Sequence, residues 1–78
     1  MTNETTKLKI LGRNIFNARR AKGLSQNQLA EKLDISREHL AKLETGKRRI
    51  SLKLLFLLPD ILEISESELL DFRDIQQK

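Results

Sequence analysis

Leu24-Ser25-Gln26-Asn27-Gln28-Leu29-Ala30-Glu31-Lys32-Leu33-Asp34-Ile35-Ser36-Arg37 is the stretch that decides the fold. Ser25 and Gln28 make a capping box: the serine oxygen accepts an orphan N–H and the glutamine side chain reaches back. Leu29, Ala30 and Leu33 then recur at helical spacing and form one apolar stripe. Asp34 and Ile35 allow only a short turn. Ser36 caps a further helix, predicted over 37–45, with Leu40 and Leu43 on its buried side. Gly46 ends it, because glycine accepts the left-handed backbone past a helix terminus.

The same signals continue outward. Leu11, Ile15 and Ala18 share a face, which predicts a helix over 6–22 closed by Gly23. Ser51 caps a fourth helix with Leu52, Leu55, Leu58 and Leu62 as its stripe. Pro59 conflicts with that helix: it has no N–H for the Leu55 carbonyl and its ring crowds that carbonyl, at a cost of about 3 kcal/mol. A break near Leu58 is predicted. Ser65-Glu66-Ser67-Glu68 is a second capping box, opening a fifth helix through Leu69, Leu70 and Phe72. The last few residues are expected to fray. The fold class is therefore all-α, a compact bundle of about five short helices, one domain over 1–78 with its core at about 6–73.

Composition narrows the function. The 78 residues carry no cysteine and one histidine, which excludes a disulfide framework, a thiol nucleophile and a His-rich metal site. No cofactor and no small-molecule ligand are expected, and no enzyme: nucleophile, metal set and phosphate-binding glycine loop are all missing. The longest apolar run, Leu54 to Leu58, is too short to span a bilayer, and no signal peptide is visible. A cytoplasmic location is the expectation. Residues 1–53 hold 13 basic and 5 acidic side chains, a net of +8, whereas 54–78 hold 2 and 6, a net of −4. A basic body points to a polyanion partner.

Residues 24–37, followed by Leu40, Leu43-Glu44 and Gly46-Lys47-Arg48, resemble the helix-turn-helix of the Cro and cI repressor type, also called the xenobiotic-response-element or lambda-repressor-like family. The resemblance covers residues 11 to about 72, with the helix-turn-helix itself at 25–45. Ala30 must be small where the two helices of the motif cross, and Ile35 plugs the turn between them. The family usually has glycine at the position of Asp34, which needs a positive φ that aspartate tolerates at modest cost.

The resemblance implies that the second helix of the pair enters the major groove of double-stranded DNA. Its outward residues Arg37, Glu38, His39 and Lys42 are then the base readers. Arg37 can fork onto guanine, and Glu38 can accept from a cytosine amino group. The competing account of these residues is a solvated helix face. By the same resemblance Ser25, Gln26 and Ser36 at helix starts, and Thr45, Lys47, Arg48 and Arg49 in the following loop, contact phosphates. Arg19 and Glu44 match a structural ion pair that orients the reading helix.

The fourth segment is too apolar for a surface helix, since Leu54, Phe56, Leu57 and Ile61 add apolar side chains outside its stripe. A homodimer through about 52–75 is expected, with Phe56, Leu57, Ile61 and Phe72 at its interface. The implied function is a sequence-specific transcriptional regulator, a repressor or controller protein, that binds an inverted-repeat operator. The alternatives are an antitoxin that autoregulates its operon and a protein–protein interaction module without DNA binding.

Overall fold

Four serines set where helices begin. The computed structural model describes residues 3–73, which form α1 (Asn3–Ala21), α2 (Gln26–Leu33), α3 (Arg37–Glu44), α4 (Leu52–Leu62) and α5 (Glu66–Leu69). Ser25, Ser36, Ser51 and Ser65 precede α2 to α5, and each hydroxyl accepts the backbone N–H three residues on, at 3.0–3.2 Å. Gln28 and Glu68 return the bond to the N–H of Ser25 and Ser65, so both capping boxes are complete. Asp34 takes the left-handed conformation with φ 58°, closing α2 tightly enough for α3 to follow at once. No strand occurs among the described residues, and none of their helices is long and apolar enough to cross a membrane. The fraying expected of the last residues falls outside the described ones.

The largest fully buried side chains are Ile15, Leu29, Leu33, Leu40, Leu58 and Leu69, so all five helices feed one core. α1 packs chiefly on α3, and α2 packs on α3 and α4. Gly12 sets the first of these distances. A Cβ on it would collide with the Leu43 carbonyl oxygen and lie 2.5 Å from that of Glu44, so α1 and the end of α3 meet backbone to backbone.

Four expectations need correction. α1 begins at Asn3, three residues before the predicted start. Its first turn carries Glu4, which suits the positive end of the helix dipole. α4 does not break near Leu58: it runs as one helix through Pro59, which is itself buried. Ending the helix there would withdraw Leu62 from the core and unseat Ile61. Burying such a side chain is worth about 1.5–3 kcal/mol, enough to offset the proline cost of about 3 kcal/mol. The Pro59 carbonyl is also used, accepting the N–H groups of Glu63 and Ile64 as the helix closes.

The buried stripe of α4 is Leu54, Leu58 and Leu62, while Leu52 lies 68% exposed. Both registers obey helical spacing on a helix that is apolar nearly all round. Finally, α5 stops at Leu69 instead of continuing through Phe72. The side-chain amide of Asn14 on α1 donates to the carbonyls of Leu69 (2.9 Å) and Asp71 (3.1 Å), fixing the chain as it leaves the helix.

Candidate nucleic-acid interface

The starts of α2 and α3 both present donors to solvent. Ser25 and Ser36 use their oxygens as cap acceptors, which leaves each hydroxyl proton able to meet an anion. The first N–H groups of a helix have no partner within it and carry partial positive charge. Gln26 opens α2 and is half-buried. One hydrogen of its amide goes to Glu44 Oε1 at 3.0 Å, and the other remains available.

Glu44, the last residue of α3, is buried and fully engaged. Its carboxylate accepts Nε and Nη2 of Arg19 at 2.7 and 3.2 Å in addition to the Gln26 amide. Arg19 Nη1 donates to the Leu24 carbonyl at 2.9 Å, just before the α2 cap. One carboxylate thus ties α1, the start of α2 and the end of α3. No buried side-chain nitrogen or oxygen among the described residues lacks a partner.

On α3, Arg37 and Glu38 are exposed, with their charged groups 4.0 Å apart. Lys42 is exposed one turn on. His39 is half-buried, and its imidazole titrates below the usual 6.5, first because it is desolvated and then because the cations Arg48 and Lys42 lie close by. Arg48 of the loop after α3 and Lys42 of α3 thus lie on the same side as the His39 imidazole. The loop leaves α3 through Gly46, whose φ of 73° is left-handed. Lys47 and Arg48 are exposed and form no ion pair among the described residues.

Residues 15–69 match the helix-turn-helix family profile. The chain belongs to the helix-turn-helix family of the Cro and cI repressor type. Within that family it is similar to an uncharacterized HTH-type transcriptional regulator of Rickettsia conorii, 42% identical over 53 residues that make up 68% of this chain and 42% of the relative. The chain therefore spans about two fifths of the Rickettsia relative's length. An uncharacterized HTH-type transcriptional regulator of Sinorhizobium fredii is 34% identical over 61 residues, 78% of this chain and 79% of the relative. Among solved structures, the restriction-modification controller protein C.AhdI from Aeromonas hydrophila superposes with a TM-score of 0.76 at 34% identity, covering 82% of this chain and 97% of the controller.

Within the matched residues, α2 and α3 are two short helices joined by the tight turn at Asp34. Two residues of the predicted phosphate set are otherwise engaged. Thr45 gives its one hydroxyl proton to carbonyls of α3, Ala41 at 3.0 Å and Lys42 at 3.3 Å, so its side chain has no donor left over. Arg49 is gripped by Glu4 of α1, with Nε to Oε2 at 2.5 Å and Nη2 to Oε1 at 3.1 Å, both side chains being well exposed. The residues named for dimerisation divide as well. Phe56 is 68% exposed beside Leu52, Leu57 and Ile61 are half-buried, and the Phe72 ring lies against α1 with the Lys7 ammonium 5.7 Å from its centre.

Sequence reasoning missed Gly12, Asn14 and Glu4. No local pattern marks any of them, since their partners lie more than thirty residues away.

Proposed function

We propose that this chain is a sequence-specific transcriptional regulator that lays α3 in the major groove and binds an inverted-repeat operator as a homodimer. The observation that carries this reading is the pair of cations Lys42 on α3 and Arg48 in the loop after it, both close to the His39 imidazole, beside a helix whose far end is locked by Glu44. Arg37, Glu38, His39 and Lys42 read base edges. Ser25, Gln26, Ser36, Lys47 and Arg48 hold phosphates and fix register.

Likeness to a restriction-modification controller supports a controller or repressor that responds to its own concentration. A second copy is favoured by α4, where Leu52 and Phe56 are each 68% exposed. Two copies facing successive major grooves would put their reading helices about 34 Å apart. The role is regulatory, with no reaction step.

Selection of bound duplexes from a random pool tests the reading. Enrichment of two-fold symmetric sites with half-sites one helical turn apart is expected. Recovery of single, unpaired half-sites would overturn the dimer, and no enrichment at all would overturn sequence-specific binding.

A further inference from the structure

Lys9, Arg13, Phe16 and Arg20 are exposed and follow one another along α1 at spacings of four, three and four. Residues so spaced form one stripe on a helix. Both of its ends lie beside the interface described above. At one end the backbone of Gly46 is packed on Lys9, where an added Cβ would lie 2.7 Å from the Lys9 Cα, and Gly46 leads straight into Lys47 and Arg48. At the other end Arg20 follows Arg19, which is bonded to the Leu24 carbonyl and to Glu44. The stripe therefore runs beside the seam between α1 and α3, from the basic loop to the start of α2.

Its charges are open. Arg19, Lys22 and Arg49 each meet a carboxylate. Lys9, Arg13 and Arg20 form no ion pair among the described residues. Arg20 instead lies 5.5 Å from the centre of the Phe16 ring, with Arg19 5.2 Å from it. An aromatic face holds a guanidinium in position without neutralising it. Phe16 is 37% exposed and stands outside the buried core, with the guanidinium groups of Arg19 and Arg20 over its ring.

We infer that this stripe is a second polyanion-binding surface, which contacts the phosphates of duplex DNA flanking the half-site. The inference rests on the DNA-binding reading above. From Lys9 to Arg20 the helix rises roughly 16 Å at 1.5 Å per residue. Phosphates of one strand recur about every 3.4 Å along the duplex axis, so the stripe can follow about five of them.

The test uses the full chain and two duplexes, one ending at the selected operator and one extended by about ten base pairs on each side, a full helical turn. The wild type should bind the extended duplex on the order of tenfold more tightly. The triple variant Lys9→Gln, Arg13→Gln, Arg20→Gln should lose that difference, and its salt slope on the extended duplex should fall by about 2–3 per protomer, near 0.9 for each lost phosphate contact. Phe16→Leu keeps the apolar bulk and should lose part of the gain. Equal slopes for wild type and triple variant on the extended duplex overturn the inference. So does a change in sedimentation without a change in slope, which would assign the stripe to another protein chain. A wild type that binds no duplex overturns this inference together with the DNA-binding reading, whereas an unaffected triple variant overturns the stripe alone.

Discussion

The guanidinium of Arg19 forks onto the carboxylate of Glu44, at 2.7 and 3.2 Å, and both side chains are buried. Taking two charges out of water costs nearly as much as their attraction returns, but removing one partner strands the other. Glu44→Gln and Arg19→Met should each destabilise the domain by about 3–5 kcal/mol. The double variant Arg19→Met, Glu44→Leu should cost clearly less than the two singles together. Urea denaturation of the set measures this, and single variants each within about 1 kcal/mol of wild type would show the pair to be dispensable.

Gly12 offers a separate stability test. Gly12→Ala drives a methyl into the Leu43 and Glu44 carbonyls, and backbone cannot yield as a side chain can. A loss of about 1–3 kcal/mol or more is expected from this overpacking. Gly23→Ala meets nothing within 4 Å and carries only the strain of φ 78°, so it should cost less, about 1 kcal/mol. Equal thermal shifts for the two would mean that α1 and α3 can move apart freely.

Arg37 and Arg48 should fail in different ways. Arg37→Ala should cost about 1–3 kcal/mol on the selected site and relax preference at one base pair. Arg48→Ala should weaken selected and random duplexes alike and reduce the salt slope by about one. If both variants weaken selected and random DNA equally, Arg37 does not read a base.

Glu4 on α1 holds Arg49, a residue of the predicted phosphate set, in an ion pair. Glu4→Gln should release the guanidinium, strengthen binding a few-fold at low salt, and steepen the salt slope by about 0.9 if Arg49 gains a phosphate. The ion pair is exposed, so stability should move by less than about 1 kcal/mol. Unchanged binding would mean that Arg49 lies off the DNA path.

His39 gives the pH dependence. Its folded pKa lies below 6.5, through desolvation and then the charges of Arg48 and Lys42. The unfolded chain therefore takes up the proton first as pH falls. The His39 contribution to stability is intact above about 6.5 and is lost as pH drops through the folded value. DNA acts with the opposite sign: nearby phosphates favour the imidazolium, so affinity should rise as pH falls over the same window. NMR titration should show the His39 pKa moving up on DNA binding, and also in Arg48→Gln. A pKa unmoved by DNA would place His39 away from the phosphates.

What the sequence made legible was local. Ser25, Ser36, Ser51 and Ser65 announce their helices because a cap and its partner are three residues apart. The left-handed Asp34, at φ 58°, was foreseeable from the resemblance to a family that usually has glycine at that position. The register of α4 was not legible, because Leu52 and Leu54 sit on a helix so apolar that spacing favours neither. The course through Pro59 turned on tertiary burial, which the local rule for proline omits. Asn14, Glu4 and Gly12 act on partners brought close only by the finished fold. In the candidate site, residue types pointed to the faces of α2 and α3. The other commitments of Thr45 and Arg49 arise only in the folded arrangement.

The three-way bond at Glu44 also bears on the thermodynamics of recognition. A reading helix free to swivel would lose that freedom on meeting its target, and the loss would weaken binding to every sequence. Here the orientation of α3 against α1 and α2 is settled when the chain folds, so the encounter begins with a preorganised head. A head of that kind cannot reshape itself around a poor site. On the proposed reading of α3 as the DNA-contacting helix, its discrimination would come from stiffness, to which the buried Glu44 carboxylate contributes.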